Sequence, residues 1–151
     1  MKFLEDIHPL TVHFPIAFFT LYCLTEIVSQ FFRKDELKKL SLFFLVIGVL
    51  SATVSVLTGN MEFQTITQNN SISQSLINEI RNHEYFATLT LWYFFFLLVL
   101  KTYIILKKKN QSKLNYLFVI FAALGFYLIF TTSKIGGRLV YEFGIGTNLL
   151  K

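Results

Sequence analysis

The chain is short of cysteine, proline and charge. Of its 151 residues one is Cys, two are Pro and 15% are Asp, Glu, Lys or Arg. A single cysteine, Cys23, excludes any intramolecular disulfide, and no C-x-x-C-H run exists to attach haem covalently. Cys23 lies within an apolar stretch and reads as a small packing residue. Walker, Rossmann, G-x-S-x-G and H-E-x-x-H patterns are all missing, which leaves nucleotide-dependent and nucleophile-based enzymology without support. Histidine is also sparse, at three residues. At most one site with two histidine ligands can therefore be built.

What fills the chain instead is apolar surface: 54% hydrophobic residues, 18 of them Phe, and a mean hydropathy of +0.55. Soluble domains of this length rarely have such a composition. The hydrophobicity gathers into four stretches, Leu10 to Phe32, Leu40 to Thr58, Tyr85 to Leu106 and Leu114 to Thr132. Each is close to the ~20 residues that cross a bilayer as a helix. The runs are continuous and do not alternate, which argues against barrel strands. The start MKFLEDIHPL has no small-residue cleavage site, so the first span is expected to remain in the protein. These features predict one domain over residues 1–151, an all-α integral membrane protein folded as an antiparallel four-helix bundle. No internal repeat of the four spans is apparent.

Basic residues set the expected orientation. Arg33, Lys34, Lys38 and Lys39 follow the first span, and Lys107, Lys108, Lys109 and Lys113 follow the third. Lys2, Arg81, Lys134, Arg138 and Lys151 are spread thinly on the other side. A bacterial inner (cytoplasmic) membrane protein with both termini outside is expected. The net charge of +5 then reports topology and attraction to lipid head groups. With its basic residues split between loops, the chain has no continuous stripe to track a nucleic-acid backbone.

Three short segments carry the chemistry, and all three fall at the expected outer face. In His8-Pro9-Leu10-Thr11-Val12-His13-Phe14-Pro15, Pro9 suits a helix first turn. Pro15 removes the amide that would bond Thr11 and should open the backbone near His13. The two histidines are five residues apart, about 140° around a helix, so only one can aim at a given point, and His13 is expected to look into the bundle. Asn82-His83-Glu84-Tyr85 opens the third span. The last segment, Gly136 to Gly146, holds four glycines in eleven residues. It is expected to fold tightly against the bundle mouth and to bring Arg138, Tyr141 and Glu142 near the histidines. The polar connection over residues 64–80 is expected to hold a short amphipathic helix through Ile72, Leu76 and Ile80.

HPLTVHFPIAFF at the start, a histidine opening the third span and GGRLVYEFGIGT at the end resemble the four-span bacterial membrane family known as domain of unknown function 2231. The similarity runs through the whole chain in order and spacing. Members often carry a histidine at the end of the last motif where this chain has Phe143, which removes one possible ligand. The family has no settled activity. Its domains are found joined to cytochrome c modules, which implies respiratory redox chemistry.

The sharpest reading is a membrane electron-transfer subunit holding one b-type haem between His13 and His83, with neutral imidazoles as axial ligands. Phe side chains would line it, and Arg138 would pair with a propionate. Cytochrome c, quinol or a larger membrane complex are the expected partners. A rival site is one transition-metal ion held by His8, His13, His83 and Glu142. The bland reading has histidines bonding backbone carbonyls in a non-catalytic subunit that stabilises or recruits a respiratory or transport complex. Glu26 and Lys101 share a depth near the inner end of their spans and are expected to form an ion pair. Gly48, Ser51, Ala52 and Ser55 fall on one close-packing face, while Trp92 to Phe96 read as lipid-facing or packing residues.

Overall fold

The computed structural model describes residues 8–32, 35–67, 73–107 and 112–145. They form one short and four long helices: α1 His8–Thr11, α2 His13–Phe32, α3 Asp35–Thr67, α4 Gln74–Leu106 and α5 Ser112–Tyr141. The described residues contain no strand. All four long helices are long and apolar enough to cross a membrane. Arg33, Lys34, Lys108 and Lys109 of the basic loops, Ile72 and Gly146 lie outside the described residues.

Local chemistry sets the helix ends. Asp35 and Glu36 occupy the first turn of α3, where acidic side chains favour the positive end of the helix dipole. Ser73 caps α4, its hydroxyl oxygen accepting from the Leu76 amide at 3.4 Å. The first segment breaks at Val12, between α1 and α2. This is where the amide missing from Pro15 leaves the Thr11 carbonyl without its helical donor. After α5, Gly144 takes a positive φ of 69°, and the chain turns back so that the Ile145 amide donates to the Leu139 carbonyl at 3.0 Å.

Three helices outrun the apolar spans. α3 continues past Thr58 to Thr67, α4 begins at Gln74 instead of Tyr85, and α5 continues past Thr132 to Tyr141. A hydrophobic window ends where side chains turn polar, whereas a helix runs on while its backbone bonds and neighbours support it. Leu76 and Ile80 therefore belong to α4 itself. Gly136 and Gly137 are helical as well, so the expected tight folding is confined to Gly144.

The bundle is a ring in which α2 and α4 each pack mainly on α3 and α5. The antiparallel order follows from the contacts. Glu26, late in α2, meets Ser41, early in α3, and His83, early in α4, lies on Gly136, late in α5. Diagonal helices α2 and α4 touch along the bundle axis through side chains. The Phe19 and Phe94 rings stack with centroids 3.8 Å apart, and Tyr22 meets Phe94 edge-on at 5.9 Å. Tyr22, Phe94, Leu45, Leu97 and Ala122 are fully buried around them. Ala52 and Ser55 are buried and Gly48 receives Phe19, so the small-residue face of α3 packs as its spacing suggests. Trp92 and Phe96 are exposed, whereas Phe94 is central.

Toward the loops that join α2 to α3 and α4 to α5, the axis carries a polar cluster. The Lys101 ammonium and the Ser41 hydroxyl both donate to Oε2 of Glu26, and Lys101 Nζ also reaches Ser41 Oγ at 2.7 Å. Glu26 is 3% and Lys101 7% exposed. The expected ion pair is present, and Ser41 completes it.

Candidate functional site

At the opposite end, the starts of α2 and α4 and the ends of α3 and α5 enclose a cavity of about 510 Å³. That volume falls within the range of small-molecule and cofactor sites. Its walls are mostly apolar, with Pro15, Phe19, Phe63, Leu91 and Ile129 among them. All three histidines border it, so the three segments distant in sequence do meet at one face.

The two histidines in the interior are His8 and His83, both half-buried, while His13 is exposed at the rim. His8 was expected to point elsewhere. The break at Val12 sets α1 against α3 instead. There His8 Nδ1 bonds Thr58 Oγ1 of α3 at 3.1 Å, and Thr11 Oγ1 approaches the same hydroxyl at 3.4 Å. The Thr58 hydroxyl has one proton and lies 3.1 Å from each of the Val54 and Ser55 carbonyls. With that proton assigned to a carbonyl, Thr58 accepts from His8, the tautomer that carries the hydrogen on Nδ1 and leaves the lone pair on Nε2.

Each ring fits against a glycine of the neighbouring helix. A Cβ placed on Gly59 would lie 2.8 Å from Cε1 of His8, and one on Gly136 would lie 2.9 Å from Cε1 of His83. Glycine is required at both positions because any side chain would push the imidazole out of its groove. The Ser55 carbonyl lies beside His8 and the Thr132 carbonyl beside His83. Three buried polar atoms of cavity-lining residues, His83 Nδ1, Ser55 Oγ and Ser133 Oγ, find no hydrogen-bond partner in the protein. Buried polar groups in native structures are almost always satisfied by protein or by water, so these three are polar positions open to water or a ligand in the cavity.

The remaining expected site residues are arranged differently. Arg138 Nη1 lies 3.0 Å from Glu79 Oε1, and its Nε lies 3.4 Å from Glu142 Oε2. Its charge is thus engaged by two carboxylates, and Glu142 is exposed beside it. Among the described residues no group of three or more His, Cys, Asp or Glu side chains is placed to hold a metal ion. The set His8, His13, His83 and Glu142 therefore does not converge, because His13 and Glu142 stay at the surface while the other two face inward. Glu84 lines the cavity too, and the Asn60 amide nitrogen, assigned to that side, reaches its Oε1 at 3.1 Å. Thr58, Gly59 and Thr132 were not singled out from sequence. A threonine and a glycine near the end of an apolar run carry no pattern that separates them from ordinary helix packing.

A protein family described as "Predicted membrane protein (DUF2231)" matches residues 5–149. No curated protein and no solved structure matches the chain.

Proposed function

This chain belongs to the DUF2231 family of membrane proteins, and we propose that it binds one b-type haem in its cavity, between His8 and His83, as an electron-transfer subunit of the bacterial inner membrane. Quinol or a cytochrome c is the proposed exchange partner. The observation that carries this reading is the pair of inward imidazoles, delivered by opposite sides of the bundle to one largely apolar cavity. Helix bundles build cofactor sites in this way from side chains on facing helices. Bound there, the haem supplies reversible one-electron transfer. The protein's part is to hold and orient it. Thr58 fixes the His8 tautomer so that Nε2 is free to ligate, the kind of outer support that metal-bound histidines usually have. Phe19, Phe63 and Ile129 line the cavity and would keep water from a haem bound there. Exposed His13 at the rim is what the protein offers to an anionic edge, whereas Arg138, paired with Glu79 and Glu142, does not line the cavity. The sequence-based pair His13 and His83 is thereby replaced with His8 and His83.

A second reading, a non-catalytic subunit of a larger membrane complex, is favoured by the same His8 to Thr58 bond and by the two glycine grooves. Those contacts lock helices together without any ligand. A visible spectrum of the protein purified in mild detergent separates the two. The haem reading expects a Soret band and sharp reduced bands of six-coordinate, low-spin haem, since two imidazoles are strong-field ligands. A colourless protein after expression with ample haem, free of stoichiometric iron, ends that reading.

We further propose that the cavity end faces outward. The support is the excess of Lys and Arg in the two short loops at the other end. A reporter fused at Lys151 or inserted near Asn70 is expected in the outer compartment, and one near Asn110 in the cytoplasm. A cytoplasmic signal from Lys151 inverts the site.

A further inference from the structure

Contacts in the first half of the chain recur in the second at constant offsets. His8 lies on Gly59 and His83 on Gly136; Phe19 lies on Gly48 and Phe94 on Gly125. Phe18 packs on Phe44, and Tyr93, its counterpart, bonds the Phe121 carbonyl at 2.7 Å. The Ser55 carbonyl lies near His8 as the Thr132 carbonyl lies near His83. Residues of α1 and α2 map onto α4 by adding 75, and residues of α3 map onto α5 by adding 77. The two-residue difference falls in the connection between the paired helices, which is longer in the second half. Glu26 and Lys101, also 75 apart, meet on the axis, and so do the stacked rings of Phe19 and Phe94.

We infer that the chain is two copies of one helical hairpin related by a two-fold axis along the bundle, and that its cavity is a pair of half-sites equivalent in position, His8 with Gly59 and His83 with Gly136, for a ligand lying on that axis. They differ in that Ile135 stands where Thr58 bonds His8. The axis must run along the bundle because α2 and α4 point the same way, and exchanging parallel helices requires an axis parallel to them. Parallel repeats about the membrane normal are an established way to build membrane proteins. No repeat was apparent in sequence because the aligned halves share few identities. Seven aligned positions are identical. Besides Leu37 with Leu114 and Leu40 with Leu117 they are His8 with His83, Phe19 with Phe94, Phe44 with Phe121 and two glycine pairs. Four of these last five pairs supply the ring-on-glycine contacts, His8 with Gly59, His83 with Gly136, Phe19 with Gly48 and Phe94 with Gly125. A ligand on a two-fold axis must offer the same chemistry to both sides. A haem, whose two faces are alike, would do so, with His8 and His83 as the residues that would hold it. This part rests on the haem reading.

The test uses full-length protein in mild detergent with added hemin. His8→Gly and His83→Gly each leave a hole shaped like the lost side chain, which free imidazole can fill. Half-sites equivalent in position expect both variants to lose the six-coordinate spectrum and both to regain it when free imidazole is added. Loss in one variant and none in the other overturns the equivalence while leaving haem binding intact. The duplication has a readout that needs no hemin: Gly59→Ala and Gly136→Ala each force an imidazole from its groove and should each lower the melting temperature, Gly59→Ala the more because it also breaks the bond from His8 to Thr58. A wild-type protein that takes up no hemin removes the haem reading alone. A melting loss at one glycine with none at the other overturns the duplication.

Discussion

His8→Ala and His83→Ala are each expected to abolish six-coordinate haem, whereas His13→Ala keeps it. The contrast is physical. His13 is exposed beyond the break at Val12, and removing it strips no groove and no buried bond. His8 and His83 sit against glycines that nothing else fills. A finer variant, Thr58→Val, keeps the shape of the site but deletes the acceptor of the His8 Nδ1 proton. Loss of such an outer partner typically costs about 10–100-fold in affinity, so Thr58→Val should bind haem more weakly and still show the six-coordinate spectrum when saturated. The measurements are the haem-to-protein ratio and the reduced-minus-oxidised spectrum of each purified variant. If His13→Ala loses the haem and His8→Ala retains it, the ligand pair is His13 and His83 and α1 is not where the geometry puts it.

The spans, their number and the convergence of the three segments were legible because they rest on a term that sums over many residues, namely apolar length, which sets four crossings and hence which ends share a face. The ion pair was legible for a similar reason, since two charges at one depth in apolar helices have few alternatives. Which histidine turns inward was not. Helical periodicity from Pro9 onward favoured His13, and one non-helical residue, Val12, reverses that register. The glycines misled in the other direction. Gly136 and Gly137 read as a loop because glycine is a poor helix former, yet Gly136 sits within α5 so that His83 can lie against the backbone. A cost in propensity accepted for a close approach leaves no local trace. Only the partner, 53 positions earlier in the chain, explains it.

The other large effect is expected at the far end of the axis. Glu26 and Lys101 are almost fully buried in apolar surroundings, and besides each other and Ser41 the Lys101 ammonium has the Tyr22 and Phe118 rings at 5.4 and 5.5 Å. Neutralising one member leaves an uncompensated charge there, which in buried pairs costs about 3–5 kcal/mol. Glu26→Gln and Lys101→Met should each lower thermal stability in detergent by that order. The double variant should lose much less than the sum, because replacing a buried pair with neutral groups of similar volume is often close to neutral. Charge exchange asks a sharper question. If the two hairpins are copies about a central axis, Glu26→Lys with Lys101→Glu rebuilds the pair at mirrored positions, within reach of the same Ser41 hydroxyl. The exchanged protein should then recover most of the stability that Glu26→Lys alone removes by setting two ammonium groups against each other. Strict additivity across the neutral cycle would mean that the charges do not interact. An interacting pair that the exchange fails to restore would mean that Ser41 and Phe118, which occupy equivalent places in the two hairpins but differ in chemistry, have fixed which side carries the acid. In that case the inner end of the axis has diverged, and any equivalence of the halves is confined to the histidine cavity.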